Sequence, residues 1–461
     1  MIRLFGRPLL RKQVLFTVSD IIVLAVTPVL ASYLRFDPGQ AHRFVMENLP
    51  TFFLQGVVFM ACFFIADLYN VNKDYRRPEQ FLYIMSACFF GMLFSMILFY
   101  AKVAYIGRGI LLIYSGAVFL FCALARAYYS YDRSAVHKRS RVLLVGAGKS
   151  GQGLLDVIMS NPNCGLWVVG FVDDDPEKHG ESVMGVPVLG GTADIAKLTR
   201  DMGIDMIVLC VTDRKSDELI GTLIKCHYRD IRVVDMPTVY EGITGKLPVK
   251  LLNDEWLLYS ALSNQRLLFY NTKRFADIIL SVALFLATMP LMLLAAILIR
   301  LDSKGDVLYR QERLGRNYGR FTIYKFRTMV MDAERHTGAV WASKDDPRTT
   351  RVGGVLRKLR IDELPQLINV IKGEMSFVGP RPEREVFVRE LEESIPAYTH
   401  RLMVKPGLTG WAQVMYEYAA TKEESAEKLC YDLYYVKNMS ILLDVLIMLK
   451  TLRIVFLFKG H

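Results

Sequence analysis

The sequence predicts a membrane protein in three parts: an N-terminal four-helix transmembrane bundle, a central Rossmann-like α/β domain, and a C-terminal α/β domain that opens on an apolar helix re-entering the membrane. Three observations predict it. Four apolar runs crowd the first 130 residues. A glycine-rich turn at 146–151 separates a β-branched run from a helical pattern. After residue 265 a proline-interrupted apolar run leads into a segment dense in carboxylates, arginines and prolines. The expected boundaries are 1–135, 138–265 and 266–461.

The chain has 461 residues, of which 52% are hydrophobic, a net charge of +11 and a mean hydropathy of +0.25. Its first four apolar runs are 14–34, 49–65, 81–101 and 109–125, the second and fourth being the shortest. Each approaches the length needed to cross about 30 Å of hydrocarbon. Four such runs are too many for one small soluble core. The first run exceeds a signal-peptide apolar core, and Arg35-Phe36-Asp37 follows it in place of a small-residue cleavage site, so it is expected to stay as an anchor. Arg3, Arg7, Arg11 and Lys12 precede the first run, and Arg126, Arg133, Lys138, Arg139 and Arg141 follow the fourth. Lys73, Arg76 and Arg77 lie between the second and third. Positive residues stay inside, so both ends of the bundle and everything downstream are expected in the cytoplasm. Asp20, within the first run, is expected to be a hydrogen-bonded helix contact.

Seven scattered cysteines contain no C-x-x-C pair, which argues against a zinc site or a disulfide framework. The positive charge suits anionic lipid and anionic substrate. Because the basic residues are dispersed and flank apolar runs, no nucleic-acid partner is expected.

In the central domain, strands are expected at 141–145, 167–172, 206–211 and 231–234, with helices at 148–159, 193–201 and 217–228. This alternation is the pattern of a parallel sheet. Gly146-Ala147-Gly148-Lys149-Ser150-Gly151 is a G-x-G-x-x-G turn between strand and helix, where a nucleotide pyrophosphate could approach the helix start. Gly146, Gly148 and Gly151, with Asp173 at the end of the next strand as the ribose-binding acid, form a candidate nucleotide site. The competing reading is a domain that has lost this ligand and serves regulation or dimerisation. No Tyr-x-x-x-Lys pair occurs between 138 and 265, so a nicotinamide-dependent nucleotide-sugar dehydratase lacks its proton relay.

The third part opens with Lys273-Arg274, followed by an apolar run over 275–301 broken at Met289-Pro290. Proline removes one helical hydrogen bond, so the run either spans the bilayer or turns back. Re-entry, over about 273–301, is expected because a spanning helix would place the downstream carboxylates away from cytoplasmic nucleotides. A C-terminal apolar helix at 441–458 is expected to lie at the interface or to pack on the domain. Between these helices stand Tyr309-Arg310-Gln311-Glu312-Arg313, Lys325-Phe326-Arg327-Thr328-Met329, Trp341-Ala342, Asp345-Asp346-Pro347-Arg348 and a helix carrying Asp362-Glu363-Leu364-Pro365-Gln366. Gly379-Pro380-Arg381-Pro382-Glu383 and Pro406-Gly407-Leu408-Thr409-Gly410-Trp411 complete the set. On an α-helix, carboxylates at i and i+1 point about 100° apart, so one can attack while the other meets a cation. Prolines on both sides stiffen the loop that carries Arg381, whose planar fork matches phosphate.

These motifs, in this order, resemble the bacterial sugar transferase family, the polyprenyl-phosphate hexose-1-phosphate transferases; the whole chain resembles its large, monotopic phosphoglycosyl transferase form. The resemblance implies an inner-membrane enzyme that starts exopolysaccharide or O-antigen assembly. Asp362 would attack the sugar-linked phosphate of a UDP-sugar and release UMP. Undecaprenyl phosphate would then take the sugar-1-phosphate from the aspartate. Glu363 would bind Mg2+, and Arg381, Lys325, Arg327, Arg313 and Gln366 would hold phosphate or uridine groups. The resemblance also implies a homodimer. A non-catalytic scaffold for a polysaccharide machine is the further alternative, and retention of both carboxylates and Arg381 argues against it.

Overall fold

The computed structural model describes residues 3–4, 7–8, 11–69, 78–100, 107–131, 139–162, 164–211, 217–249, 267–330, 348–395, 397–416 and 421–456. Lys73, Arg76, Arg77, Arg133, Lys138, Trp341, Ala342 and residues 345–347 therefore lie outside the described residues. The chain divides into two compact units, Met1–Val239 and Tyr240–His461.

The first unit begins with α1 (Arg11–Arg35), α2 (Pro38–Glu47), α3 (Leu49–Ile65), α4 (Pro78–Tyr100) and α5 (Arg108–Tyr131). Over their described residues, three of the four apolar runs fall within single helices long and apolar enough to cross a membrane. The second does not: α3 has only 17 residues and meets α2 at a 71° bend, so only the bent pair is long enough. Phe52, Phe59, Phe63 and Tyr114 fill the core, with the Phe59 and Tyr114 rings edge to face at 5.3 Å. Ile21, Ile22, Phe53, Phe81 and Leu112 point outward, as a lipid-facing surface requires. Asp20 is fully buried in a bidentate pair with Arg126 of α5, Nη1 to Oδ1 at 2.7 Å and Nη2 to Oδ2 at 2.8 Å. The guanidinium also lies over the rings of Phe16 and Phe63. The Asp20 side chain thus joins two helices.

The α/β part comprises β1 (Ser140–Val145), α6 (Lys149–Ser160), β2 (Leu166–Val172), α7 (Ile195–Asp201), β3 (Met206–Leu209), α8 (Asp217–His227) and β4 (Arg232–Asp235). The strands form a parallel sheet in the order β2-β1-β3-β4. Leu143, Val145, Val172 and Ile207 are buried, as expected for strands covered on both faces.

In the second unit, α9 (Met236–Thr244) contributes its residues from Tyr240 onward, and the following segment is held by the Leu247 N–H donating to the Cys430 carbonyl. Then come α10 (Leu267–Asp302), the antiparallel hairpin β5 (Leu308–Leu314) and β6 (Arg320–Phe326), α11 (Arg351–Lys358), a 3-10 helix (Ile361–Gln366) and α12 (Leu367–Lys372). The parallel pair β7 (Ser376–Val378) and β8 (Gly407–Thr409) flanks α13 (Glu385–Ser394), and α14 (Trp411–Met415), α15 (Lys422–Asn438) and α16 (Ile441–Phe456) follow. Trp411, Tyr434 and Tyr435 anchor the core, and the Trp411 indole donates to the Gly245 carbonyl at 2.8 Å.

The apolar run of the third part is one 36-residue helix, helical through Met289-Pro290. Proline removes only a single bond of the ladder, and the remaining bonds carry the helix past it. Both ends of α10 pack on this unit. Near its start, Lys273 pairs with Asp444 at 2.6 Å, Asp277 accepts from the Ser376 hydroxyl at 2.7 Å, and Arg274 donates to the last carbonyls of α12. Near its end, Ala295 and Ile299 bury against Phe326 and Leu356. Val282, Leu286, Leu293 and Leu294, between these ends, are exposed.

Candidate active site

The stretch that carries the two carboxylates is not the continuous α-helix its pattern suggests. Arg360 adopts the left-handed conformation (φ 54°, ψ 23°), which ends α11, and the chain re-enters as the 3-10 helix over Ile361–Gln366. Residues on a 3-10 helix turn about 120° each, so Glu363 and Gln366 share one side while Asp362 points to another. Gln366 is buried, and its side-chain nitrogen has no hydrogen-bond partner among the described residues.

Glu363 is ringed by cations. Arg381 Nη2 lies 2.9 Å and Lys325 Nζ 3.5 Å from Oε1, while Arg360 Nη1 lies 3.7 Å from Oε2. Burial opposes its ionisation, but Arg381, Lys325 and Arg360 outweigh burial and hold the carboxyl below the ordinary glutamate range. Asp362 makes no hydrogen bond or ion pair among the described residues. Burial, reinforced by the neighbouring Glu363 charge, pushes its carboxyl above the ordinary aspartate value, with Lys325, Arg381 and Arg357 opposing in part. The two neighbouring carboxyls are thus pushed in opposite directions from their ordinary values.

The Arg381 loop is fixed through its backbone. Gly379 N–H donates to Thr409 O and Gly407 N–H to Pro380 O, each at 2.9 Å, and Arg401 donates to the Arg381 carbonyl at 3.0 Å. A Cβ on Gly407 would fall 2.0 Å from Gly379 N, so the two segments approach as only glycine permits. Glu383 closes the loop against Lys428 at 3.0 Å and Arg313 at 3.7 Å. Despite its burial, Lys428, Arg401 and Arg313 hold the Glu383 carboxyl down to about 2.

Of the residues expected to form the site, Asp362, Glu363, Lys325 and Arg381 come together, with Gln366 on the same turn. Arg313 belongs to the support of the Arg381 loop, donating also to the Pro382 carbonyl at 3.3 Å. Arg327 stands apart: it donates to the Ser303 and Lys304 carbonyls at 2.8 and 2.9 Å, beyond the end of α10. Strand alternation would set Lys325 and Arg327 on one side, but β6 ends at Phe326 and Arg327 lies beyond it, so the pattern at 325–329 could not show this. Sequence reasoning also left Arg360, Arg357, Arg401 and Lys428 without roles. Among the described residues no group of three or more His, Cys, Asp or Glu side chains gathers into a metal cage. Two adjacent carboxylates still fit Mg2+, which is usually held by one or two carboxylates, water and substrate phosphates.

In the first unit, Gly146 (φ +103°) makes the turn, Gly148 is the N-cap that precedes α6, and a Cβ on Gly151 would strike the Gly146 carbonyl at 2.1 Å. Asp173 is engaged locally: Oδ2 accepts from Ala147 N–H at 2.8 Å and Oδ1 from Asp175 N–H at 3.0 Å, with Lys178 at 3.3 Å. As placed, it does not fit the role of a ribose clasp, and no chemistry is assigned to a nucleotide there.

A parallel α/β part and a second α/β unit that sets cations around paired carboxylates beside an apolar helix define a membrane-associated phosphate-handling enzyme. Comparison with known proteins gives the family. The bacterial sugar transferase profile matches residues 268–458, and a CoA-binding domain profile matches 65–234. The chain is 43% identical over 257 residues to the UDP-N-acetylgalactosamine-undecaprenyl-phosphate N-acetylgalactosaminephosphotransferase of Aeromonas hydrophila, which covers 55% of this chain and 60% of that protein. It is 31% identical to the UDP-glucose:undecaprenyl-phosphate glucose-1-phosphate transferase of Klebsiella pneumoniae, over 73% of this chain and 71% of that one. It is 28% identical to the undecaprenyl-phosphate galactose phosphotransferase of Salmonella typhimurium, over 92% and 91%. This chain belongs to the bacterial sugar transferase family, the polyprenyl-phosphate glycosyl-1-phosphate transferases, in its large form. With four helices among the described residues long and apolar enough to cross a membrane, it is a multi-pass membrane protein.

Proposed function

We propose that this protein transfers a sugar-1-phosphate from a UDP-sugar to undecaprenyl phosphate, releasing UMP, as the first membrane step of exopolysaccharide or O-antigen assembly. The observation that carries the reading is the division within one dipeptide: Glu363 is held by three cations, and Asp362 is half-buried beside them with no hydrogen bond or ion pair among the described residues. An Asp362 oxygen attacks the sugar-linked phosphorus, the bond to the UMP oxygen breaks, and UMP leaves with that electron pair. A phosphate oxygen of undecaprenyl phosphate then attacks the same phosphorus and the Asp362 carboxylate is restored. Arg381 and Lys325 neutralise the diphosphate so that an anionic nucleophile can approach it. Mg2+ held by Glu363 would add Lewis-acid neutralisation of the phosphate oxygens.

The location follows the same reasoning. Residues at both ends of α10 pack on one unit while its middle is apolar and exposed, which supports a re-entrant helix with the catalytic unit on one side. The distribution of lysine and arginine supports the cytoplasmic side of the inner membrane. A four-span bundle, with α2 and α3 forming one span, and a homodimer complete the reading. The names of the relatives point to hexoses and N-acetylhexosamines as donors.

The test is UMP release from a panel of UDP-sugars with undecaprenyl phosphate and magnesium. Asp362→Asn should lower turnover about a thousandfold, and radiolabelled sugar should be trapped on wild-type protein only. Turnover by Asp362→Asn at the wild-type rate would remove the covalent route.

A further inference from the structure

Arg360 stands two residues before Asp362, and three observations single it out. Its backbone is left-handed, a conformation that side chains bearing a Cβ avoid and that tends to persist where function maintains it. Its Nη1 faces Glu363 Oε2 at 3.7 Å, whereas Arg381 and Lys325 share Oε1. Its Nε is buried without a hydrogen-bond partner among the described residues. The guanidinium thus lies on the side of the carboxylate that the other two cations leave open.

We infer that Arg360 is a positioning residue that stands in for the divalent cation at Glu363 Oε2, so that metal must displace a guanidinium to bind. The inference rests on the transferase reading of this site. Arg360 keeps Glu363 oriented in the metal-free enzyme, and its displacement lowers metal affinity. Metal held on Glu363 alone would therefore be weak, and the donor diphosphate would supply the missing ligands.

The experiment is an electron paramagnetic resonance titration of Mn2+ into the full-length protein in nanodiscs, without nucleotide. Arg360→Gly removes the guanidinium and suits the left-handed backbone; it should bind Mn2+ about three- to tenfold more tightly than wild type. Arg360→Gln, neutral and similar in size, should show the same tightening. Arg360→Lys keeps the charge and should stay within about twofold of wild type. Mn2+ affinity in Arg360→Gly and Arg360→Gln that equals or falls below wild type overturns the inference. Glu363→Gln isolates the underlying reading: it should abolish Mn2+ binding. Undiminished binding in that variant, or no binding by wild type, overturns the metal role of Glu363 and the Arg360 inference with it.

Discussion

Asp362 and Glu363 are one peptide unit apart, and their surroundings differ more than their chemistry. Three cations hold Glu363 ionised, while burial and the Glu363 charge keep Asp362 protonated to a higher pH than a free aspartate. On the proposed mechanism only the ionised aspartate attacks, so turnover should fall as pH drops through the raised Asp362 pKa, and the acid limb of the rate profile should lie above the ordinary carboxylate range. Lys325 opposes that rise, so Lys325→Met should move the limb to still higher pH; a limb that stays in place or moves down would exclude this charge coupling. The depressed Glu363 pKa acts on stability with the opposite sign: its contribution is full above the unfolded glutamate value and is lost as pH falls through the folded one. The dipeptide itself was legible in the sequence. The ring of cations around Glu363 was not, because Arg381 and Lys325 are remote in the chain and brought in by folding. Arg327 shows the converse: a motif residue whose side chain serves the end of a helix.

Among elements, the glycine contact between the Gly379–Glu383 loop and β8 matters most for where Arg381 stands. Gly407→Ala would force β7 and β8 apart, because the new methyl meets backbone atoms that cannot yield. A loss of about 3 kcal/mol of stability is expected, together with a drop in kcat/KM of about a hundredfold. A variant with unchanged thermal midpoint and unchanged kcat/KM would show that the approach is dispensable. The elements of the α/β part were legible nearly to the residue, since continuous β-branched runs have few other uses. The 3-10 helix at 361–366 was not legible as such, because a left-handed arginine gives no signal in composition. The bend between α2 and α3 was also missed: Pro38 and Pro50 at the helix starts mark boundaries without giving an angle.

For the molecule as a whole, the Asp20–Arg126 pair ties the first helix of the bundle to the last. Removing one partner leaves a charge buried and unpaired, so Asp20→Asn should cost about 3 kcal/mol. The double variant Asp20→Asn with Arg126→Met should recover most of that loss, as measured by denaturant unfolding in micelles. Equal losses in the single and double variants would show that the two side chains do not act as a pair. The apolar helices, the parallel sheet and the proline-rich motifs were legible because membrane thickness, sheet periodicity and proline stiffness are each written locally; the division into two units at Val239/Tyr240 was not, since three parts were expected. The pairing of residues 20 and 126 lies too far along the chain for any local pattern to give it.

The placement of both ends of α10 on one unit has a consequence for traffic across the bilayer. On the proposed reading the lipid acceptor is loaded and released within a single leaflet, because the catalytic unit reaches the membrane from one side only. The glycan precursor therefore remains on the side where its nucleotide donor was used. Its passage to the opposite surface requires a separate flipping protein.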